Sequence, residues 1–507
     1  MREWKKGVSG VRWKGRTVAA LVLGTAVLSS ALTLTAVEGV QAVTRLFSSP
    51  VVEGDVSTLS AGGQVSSGGD KLPPSFGKIV QTYRLIQRHY LEPVADEKLV
   101  NGAIEGMLKA LDDPYSSYLD EEAAQHLEDA VEGSFEGIGA EVKMENGRVT
   151  VVAPIKGSPA EKAGLRPNDQ ILRVNGESLE GLSLMEAVLK IRGPKGTPAR
   201  LEILRPGVPQ PLELVIIRDE IPIETVYADI FKKQGVPLGR IEITQFSAGT
   251  SKRFAEELKR LEEAGIKGLV IDLRGNPGGL LDGVLEIAKQ VVPHRGVILH
   301  IEQRGGQRET YRSTLDGRKP YPIVVLVDEG SASAAEIFAA ALQESGGYKV
   351  VGKPSFGKGT VQQTVDLDDK STVKLTVAKW LTPKGHWVNK KGVQPDIVVD
   401  QPAYFKAIPL PKDRPLRYDM NHVDVHNLQV MLDGIGYPPG RTDGYFDAQT
   451  ERAVKAFQRV HGLPVTGVVD AKTAMRIEDE LRKRQENPEN DLQLQTALQV
   501  LVKQVSP

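Results

Sequence analysis

Residues 322–337 read Pro322-Ile323-Val324-Val325-Leu326-Val327-Asp328-Glu329-Gly330-Ser331-Ala332-Ser333-Ala334-Ala335-Glu336-Ile337, and this stretch decides the fold of the largest part of the chain. Its first six residues are apolar without alternation, as expected of a strand buried on both faces of a parallel sheet. Ser333 follows just past the strand end, where a helix begins that runs through Ile337, Ala340, Ala341 and Leu342. Lys349-Val350-Val351-Gly352 then supplies the next parallel strand. The loop bearing Lys358 therefore emerges at the same carboxyl edge as Ser333. Upstream, Arg240-Ile241-Glu242-Ile243 is a strand, Phe254, Leu258 and Leu261 mark a helix, and Gly268-Leu269-Val270-Ile271-Asp272-Leu273 is a third strand. The loop Gly275-Asn276-Pro277-Gly278-Gly279 leaves that strand, and a helix through Leu281, Val284, Ile287 and Ala288 follows. Residues 220–405 are thus predicted to form a mainly parallel α/β core with its site at the carboxyl edge.

Each residue at that edge has a chemical use. A serine hydroxyl is a weak nucleophile until a base accepts its proton, and a lysine with the usual pKa of about 10.4 is protonated at neutral pH. Partial burial of Lys358 would free its lone pair and make the pair a serine hydrolase. Gln362 can orient the amine without adding charge, whereas a carboxylate there would raise its pKa. The helix start places the Ala334 N–H where negative charge develops on an attacked carbonyl, with Gly278 or Gly279 as a second donor. Taken singly, Ser-Ala-Ser-Ala-Ala also reads as a helix cap and Gly-Lys-Gly as an exposed turn. Topology is what joins them.

Composition narrows the alternatives. A 507-residue chain, 40% hydrophobic, is long enough for several cores. Its formal net charge of -1 gives no pull toward nucleic acid. The absence of cysteine excludes thiol nucleophiles, disulfides and thiolate metal sites. Arg2, Lys5, Lys6, Arg12, Lys14 and Arg16 precede an uncharged stretch at 17–37, long enough as a helix to cross a hydrocarbon core of about 30 Å. Residues 1–42 therefore read as a membrane anchor, or as a signal peptide cleaved near Val40-Gln41-Ala42. Residues 43–74, rich in Ser and Gly, read as a flexible linker. The steps Ile79, Tyr83, Ile86, Tyr90 and Leu99, Ala103, Met107, Leu111 predict a helical module over 75–130.

Residues 131–219 alternate short β-like runs with brief helical stretches. Gly137-Ile138-Gly139-Ala140, Ser158-Pro159-Ala160-Glu161-Lys162-Ala163-Gly164-Leu165, Asp169-Gln170-Ile171-Leu172 and Val174-Asn175-Gly176 resemble a PDZ domain, with the first as the carboxylate-binding loop. Such a loop holds a peptide's C-terminal carboxylate while the peptide adds as a strand.

Over about 75–400 the chain resembles the C-terminal processing peptidases, also called tail-specific proteases. The resemblance is carried by Leu111-Asp112-Asp113-Pro114-Tyr115-Ser116-Ser117-Tyr118-Leu119, Asp272-Leu273-Arg274-Gly275-Asn276-Pro277-Gly278-Gly279, residues 331–337 and 352–362, and Gly392-Val393-Gln394-Pro395-Asp396-Ile397. It implies a catalytic Ser333–Lys358 dyad supported by Gln362, substrates recognised near their C-termini, a PDZ domain that gates the site, and a homodimer paired through the helices at 76–111. Arg192 reads either as a coupler between bound peptide and the core or as a solvated cation.

Residues 418–480 carry an internal echo, Asp443-Gly444-Tyr445-Phe446-Asp447-Ala448-Gln449-Thr450 against Thr466-Gly467-Val468-Val469-Asp470-Ala471-Lys472-Thr473. This segment is similar to a small three-helix peptidoglycan-binding domain. His422, His426 and His461 lack a matching ligand pattern, so neither metal nor cofactor is expected. Residues 481–507 read as a charged tail, helical or disordered. The expected architecture is multidomain, α/β and α+β: an N-terminal helical module, a PDZ domain, a mainly parallel α/β peptidase core and a small C-terminal three-helix domain. The expected activity is that of an exported serine endopeptidase, membrane-anchored or secreted, on the extracytoplasmic face of a bacterial membrane. A non-catalytic wall scaffold is the rival, and the intact Ser333, Lys358 and Gln362 argue against it. A histidine-dependent protease fails because His294 and His300 belong to a different strand.

Overall fold

The computed structural model describes residues 73–505 except 146, 156 and 209. The expected signal or anchor at 1–42 and nearly all of the linker at 43–74 lie outside the described residues. Among the described residues no helix is long and apolar enough to cross a membrane.

Helices α1 (Gly77–His89) and α2 (Asp96–Lys109) open the chain, and neither has a buried residue. Ile79, Leu85, Met107 and Leu111 stay exposed, so the apolar rhythm of these helices finds no cover among the described residues. Strand β1 (Ser117–Leu119) then leaves for a distant sheet, and α3 (Glu121–Glu132) starts on an Asp120 cap and ends at Gly133 in the left-handed region.

The next unit holds β2 (Ser134–Gly137), β3 (Ala140–Glu145), β4 (Arg148–Pro154), α4 (Pro159–Lys162), β5 (Gln170–Val174), β6 (Glu177–Ser178), α5 (Leu184–Ile191), β7 (Pro198–Leu204), β8 (Leu212–Ile217) and β9 (Asp219–Pro222). Its sheet runs β3-β4-β5-β7-β8, with β6 paired to β5, while β2 pairs only with β9. Strand β3 is a sheet edge. Ile138, Val149, Val151, Ile171, Leu201 and Ile203 fill the core below it.

The largest unit comprises β10 (Val226–Lys233), β11 (Val236–Ile243), α6 (Thr250–Glu263), β12 (Leu269–Asp272), α7 (Leu281–Val291), β13 (Val297–Gln303), β14 (Arg308–Arg312), β15 (Ile323–Val327), α8 (Ala334–Glu344), β16 (Lys349–Gly352), β17 (Thr360–Asp366), β18 (Thr372–Leu381) and β19 (Ile397–Val398). Its main sheet has the order β10-β11-β12-β15-β16-β19. All pairs are parallel except the β10–β11 hairpin. Helices α6, α7 and α8 cover one face, where the Phe338 ring meets Phe246 and Phe254 edge-on. A second, antiparallel sheet, β1-β18-β13-β14 with β17 on β18, lies beside it. The sequence reading did not anticipate this sheet, which carries Gln362.

Beyond the core, α9 (Val423–Gly434), α10 (Ala448–Val460) and α11 (Ala471–Glu486) enclose Leu428, Phe446, Val454, Phe457 and Ile477. The internal echo has a structural cause. Asp447 and Asp470 cap α10 and α11, and the buried amides of Gln429 and Gln458 each hold the glycine turn ahead of one cap. The expectation of a charged tail from 481 is corrected. Helix α11 runs to Glu486, and α12 (Leu492–Val505) lays Leu494, Ala497, Leu498, Leu501 and Val502 on Leu238, Val270, Val324, Leu326 and Val351 of the main sheet. A parallel sheet needs both faces covered, and α12 covers the second.

Candidate active site

Three loops converge at the carboxyl edge of β12, β15 and β16. Ser331 Oγ donates to the Leu273 carbonyl at 2.8 Å, the Ala332 N–H to the Asn276 carbonyl at 2.9 Å, and the Phe356 N–H to the Ser331 carbonyl at 2.9 Å. Asp328 Oδ1 accepts the N–H groups of Gly275 and Gly330. The carboxyl edge is thus stitched into one surface by residues that do no chemistry.

Ser333 sits between β15 and α8 with φ 52° and ψ -113°. This region is open to a non-glycine residue only under constraint, at a cost of about 1–3 kcal/mol. Glu336 supplies the constraint. Its carboxylate accepts the Ser333 N–H (2.8 Å), the Ser355 hydroxyl (2.6 Å), the Gly357 N–H (2.7 Å) and the Lys358 N–H (2.8 Å). The Ser333 turn and the Lys358 loop therefore hang on one buried side chain. Burial pushes the Glu336 carboxyl up from its ordinary value, against these four bonds that favour its charged form.

Lys358 is 7% exposed, with its carbonyl held by the Trp380 indole N–H at 2.8 Å. Burial lowers its amine from 10.5 to about 8; the Lys374 ammonium pushes the same way, and the Glu336 and Asp113 carboxylates oppose. Its Nζ lies 5.0 Å from the Tyr115 ring centroid. No hydrogen bond joins Lys358 Nζ to Ser333 or Gln362 among the described residues. Gln362, 4% exposed on β17, donates instead to Thr360 and Thr376.

Gly278 lies directly against Ser333: a Cβ there would come within 2.8 Å of Ser333 Cβ and 3.0 Å of the Ala334 nitrogen. Its N–H donates to Asn276 Oδ1 at 2.8 Å, so it is not free in this structure to serve an oxyanion. The N–H groups of Ala334 and Gly279 have no partner among the described residues. A substrate oxygen placed beside Ser333 meets these two donors and an amine close to neutrality, an arrangement suited to acyl transfer.

The remaining predicted residues lie away from this edge. Gly137 ends β2, and Gly139, with φ 75°, passes so close to Ser158 that a Cβ would meet its Cβ at 2.4 Å. The Ile138 and Gly139 N–H groups have no partner among the described residues, and Ala140 begins the edge strand β3. Arg192 follows α5, reaches Asp129 of α3 at 2.5 Å and stacks over Phe135 at 4.6 Å, so it is not a solvated cation. The three histidines of the C-terminal module face separate partners: His422 meets Asp424, His426 the Thr442 carbonyl, and His461 stacks on Phe457.

Sequence reasoning missed Glu336, Lys374, Thr376, Asp113 and Tyr115 as parts of this site. A buried charge at 374 on a strand alternating between faces was the available signal; Asp113 and Tyr115 stood in the 111–119 stretch that carried the resemblance, but without a role attached.

Family models match four stretches: Peptidase family S41 over residues 237–399, PDZ domain over 128–204, Activating protease CtpB N-terminal domain over 35–123, and peptidoglycan binding domain over 421–477. Carboxy-terminal processing protease CtpB of Bacillus subtilis (strain 168) is 50% identical over 445 residues, 88% of this chain and 92% of its own length. Carboxy-terminal processing protease CtpA of the same organism is 40% identical over 485 residues, 96% of this chain and 98% of its own. Among solved structures, a photosystem II D1 C-terminal processing protease is 30% identical, covers 65% of this chain and 94% of that chain, and superposes with a TM-score of 0.40. With a serine turn, a buried lysine and the two Bacillus subtilis relatives, the chain belongs to the carboxy-terminal processing proteases of peptidase family S41, serine-type peptidases, and carries PDZ and peptidoglycan-binding modules besides.

Proposed function

We propose that this protein is an endopeptidase in which Ser333 Oγ attacks the scissile carbonyl. Lys358 takes the hydroxyl proton and returns it to the leaving amine, while Gln362 orients the lysine. The observation that carries this is the buried amine, lowered to about 8, on a loop anchored to the same carboxylate as the nucleophile turn. Ala334 and Gly279 donate to the oxyanion, and Gly278 shapes the space between them.

Substrates are exported or envelope proteins with accessible C-termini. Their terminal carboxylate is held by the N–H groups at Gly137-Ile138-Gly139-Ala140 while the preceding residues add as a strand beside β3. Arg192, tied to Asp129 at the junction of this module with α3, couples peptide occupancy to the core. In the resting state Lys358 and Ser333 are unbonded, and bound peptide promotes their contact. The enzyme works on the extracytoplasmic face of a bacterial membrane, held by residues 17–37 or released by their cleavage. The apolar faces of α1 and α2, uncovered among the described residues, suit a homodimer, and the C-terminal module docks on peptidoglycan or a wall-associated partner.

The test compares an unstructured model peptide with a free and an amidated C-terminus, using wild type and Lys358→Arg. Amidation raises KM, and Lys358→Arg is inactive because a guanidinium cannot act as a base at neutral pH. Equal KM for both peptides overturns C-terminal recognition; an active Lys358→Arg overturns the base.

A further inference from the structure

A glutamine amide presents either nitrogen or oxygen in the same place, so its orientation must be imposed by its partners. Gln362 Nε2 donates to Thr360 Oγ1 at 2.9 Å and to Thr376 Oγ1 at 3.1 Å. Thr376 fixes the choice. Its hydroxyl donates to Asp113 Oδ2 at 2.6 Å, and an ionised carboxylate only accepts, so the hydroxyl oxygen is left to accept from Gln362.

Asp113 is held as firmly. It accepts the Ser116 hydroxyl at 2.6 Å and the Tyr115 N–H at 3.2 Å, and Ser116 Oγ in turn accepts the Thr376 N–H at 3.0 Å. One residue further on, β1 pairs with β18, Ser117 opposite Lys374. Burial pushes the Asp113 carboxyl up, but the hydrogen bonds from Ser116, Thr376 and Tyr115 and the nearby Lys358 charge outweigh it and keep the group ionised. With both amide protons of Gln362 engaged by threonines, its Oε1 has no partner among the described residues. The same is true of Lys358 Nζ.

We propose that Asp113 and Thr376 are positioning residues that fix the Gln362 amide with Oε1 available to the Lys358 amine, so that one N–H binds Gln362 and the lone pair is directed at the Ser333 hydroxyl. This rests on the Ser333–Lys358 dyad proposed above. A segment ahead of the PDZ module thereby acts on the catalytic lysine through two intermediaries, with Ser333 Oγ–H giving its proton to Nζ as the acyl bond forms.

The experiment is a double-mutant cycle on the full chain, with kcat and KM measured on an unfolded protein and melting temperature recorded for each variant. Thr376→Val lowers kcat about tenfold to a hundredfold with KM nearly unchanged. Thr376→Ser, which keeps the hydroxyl, restores it. Thr376→Val adds nothing to Gln362→Ala, because both remove the same orientation. Wild-type kcat in Thr376→Val, or losses that multiply in the double variant, overturns the proposal. Should Thr376→Val fail to fold, Asp113→Asn replaces it: an asparagine can donate to Thr376, release its proton toward Gln362 and invert the amide, so kcat falls and Gln362→Ala deepens the loss no further. Ser333→Ala separates the two levels. If it still cuts, the dyad itself is wrong; if it is inactive while Thr376→Val is unimpaired, only the relay is wrong.

Discussion

Replacing Lys374 by methionine tests how the fold makes the Lys358 amine easier to deprotonate. Lys374 is 5% exposed on β18, and its ammonium disfavours a second positive charge on Lys358. With an amine at about 8, about 9% of Lys358 is neutral at pH 7, against about 0.03% at the ordinary 10.5, roughly a 300-fold difference in usable base. The acid limb of kcat/KM should therefore rise about tenfold per pH unit up to about 8 and then level off, because only the neutral amine accepts the Ser333 proton. Burial is the largest cause of the lowered value and remains in the variant; the like charge is removed. Glu336 and Asp113 still favour the charged amine, so Lys374→Met moves the limb to higher pH, lowering the rate at pH 7 while sparing the alkaline plateau. The assay is kcat/KM on a fluorogenic unfolded protein between pH 6 and 10. A limb that stays in place or moves to lower pH refutes the electrostatic account. A wild-type limb centred near the ordinary lysine value refutes the burial.

Two further outcomes follow from the packing. Gly278→Ala places a Cβ 2.8 Å from Ser333 Cβ and 2.9 Å from the Ala332 carbonyl oxygen at a residue with φ 107°, so kcat/KM should fall by about 10²-fold or more and the melting temperature should drop with it. Wild-type turnover in that variant means the glycine loop does not shape the oxyanion site. Asp491→Ala removes the carboxylate that meets both terminal nitrogens of Arg274 at 2.9 and 2.8 Å while Asp272 stays paired to the same guanidinium, so the loss of these charge-assisted bonds costs about 2 kcal/mol, read from urea unfolding. An unchanged midpoint means α12 is not anchored through this pair.

The sequence made legible what depends on neighbours in the chain. The uninterrupted apolar run Ile323–Val327 gave a central strand, and one crossover was enough to bring Ser333 and Lys358 to the same edge. The glycines singled out at 139, 275, 278 and 279 all take positive φ. Partners set by tertiary pairing were not legible. Asp113 reaches Thr376 across 263 residues only because β1 joins β18, a pairing that no local pattern announces. Glu336 was quoted as part of a helix start, and its role as the anchor of two loops depends on where Ser355 and Gly357 fall. At 481–507 a helix is one of two readings the sequence leaves open; what the sequence reading missed is the apolar face of α12, since Leu494, Ala497, Leu498, Leu501 and Val502 keep a helical rhythm that a charged tail would lack.

The most direct measurement is the initial rate at which purified full-length protein cuts an unfolded substrate, compared for wild type, Ser333→Ala and Lys358→Met at pH 8. The Ser333–Lys358 account predicts cleavage by wild type and none above background by either folded variant. Cleavage by Ser333→Ala at the wild-type rate would contradict it.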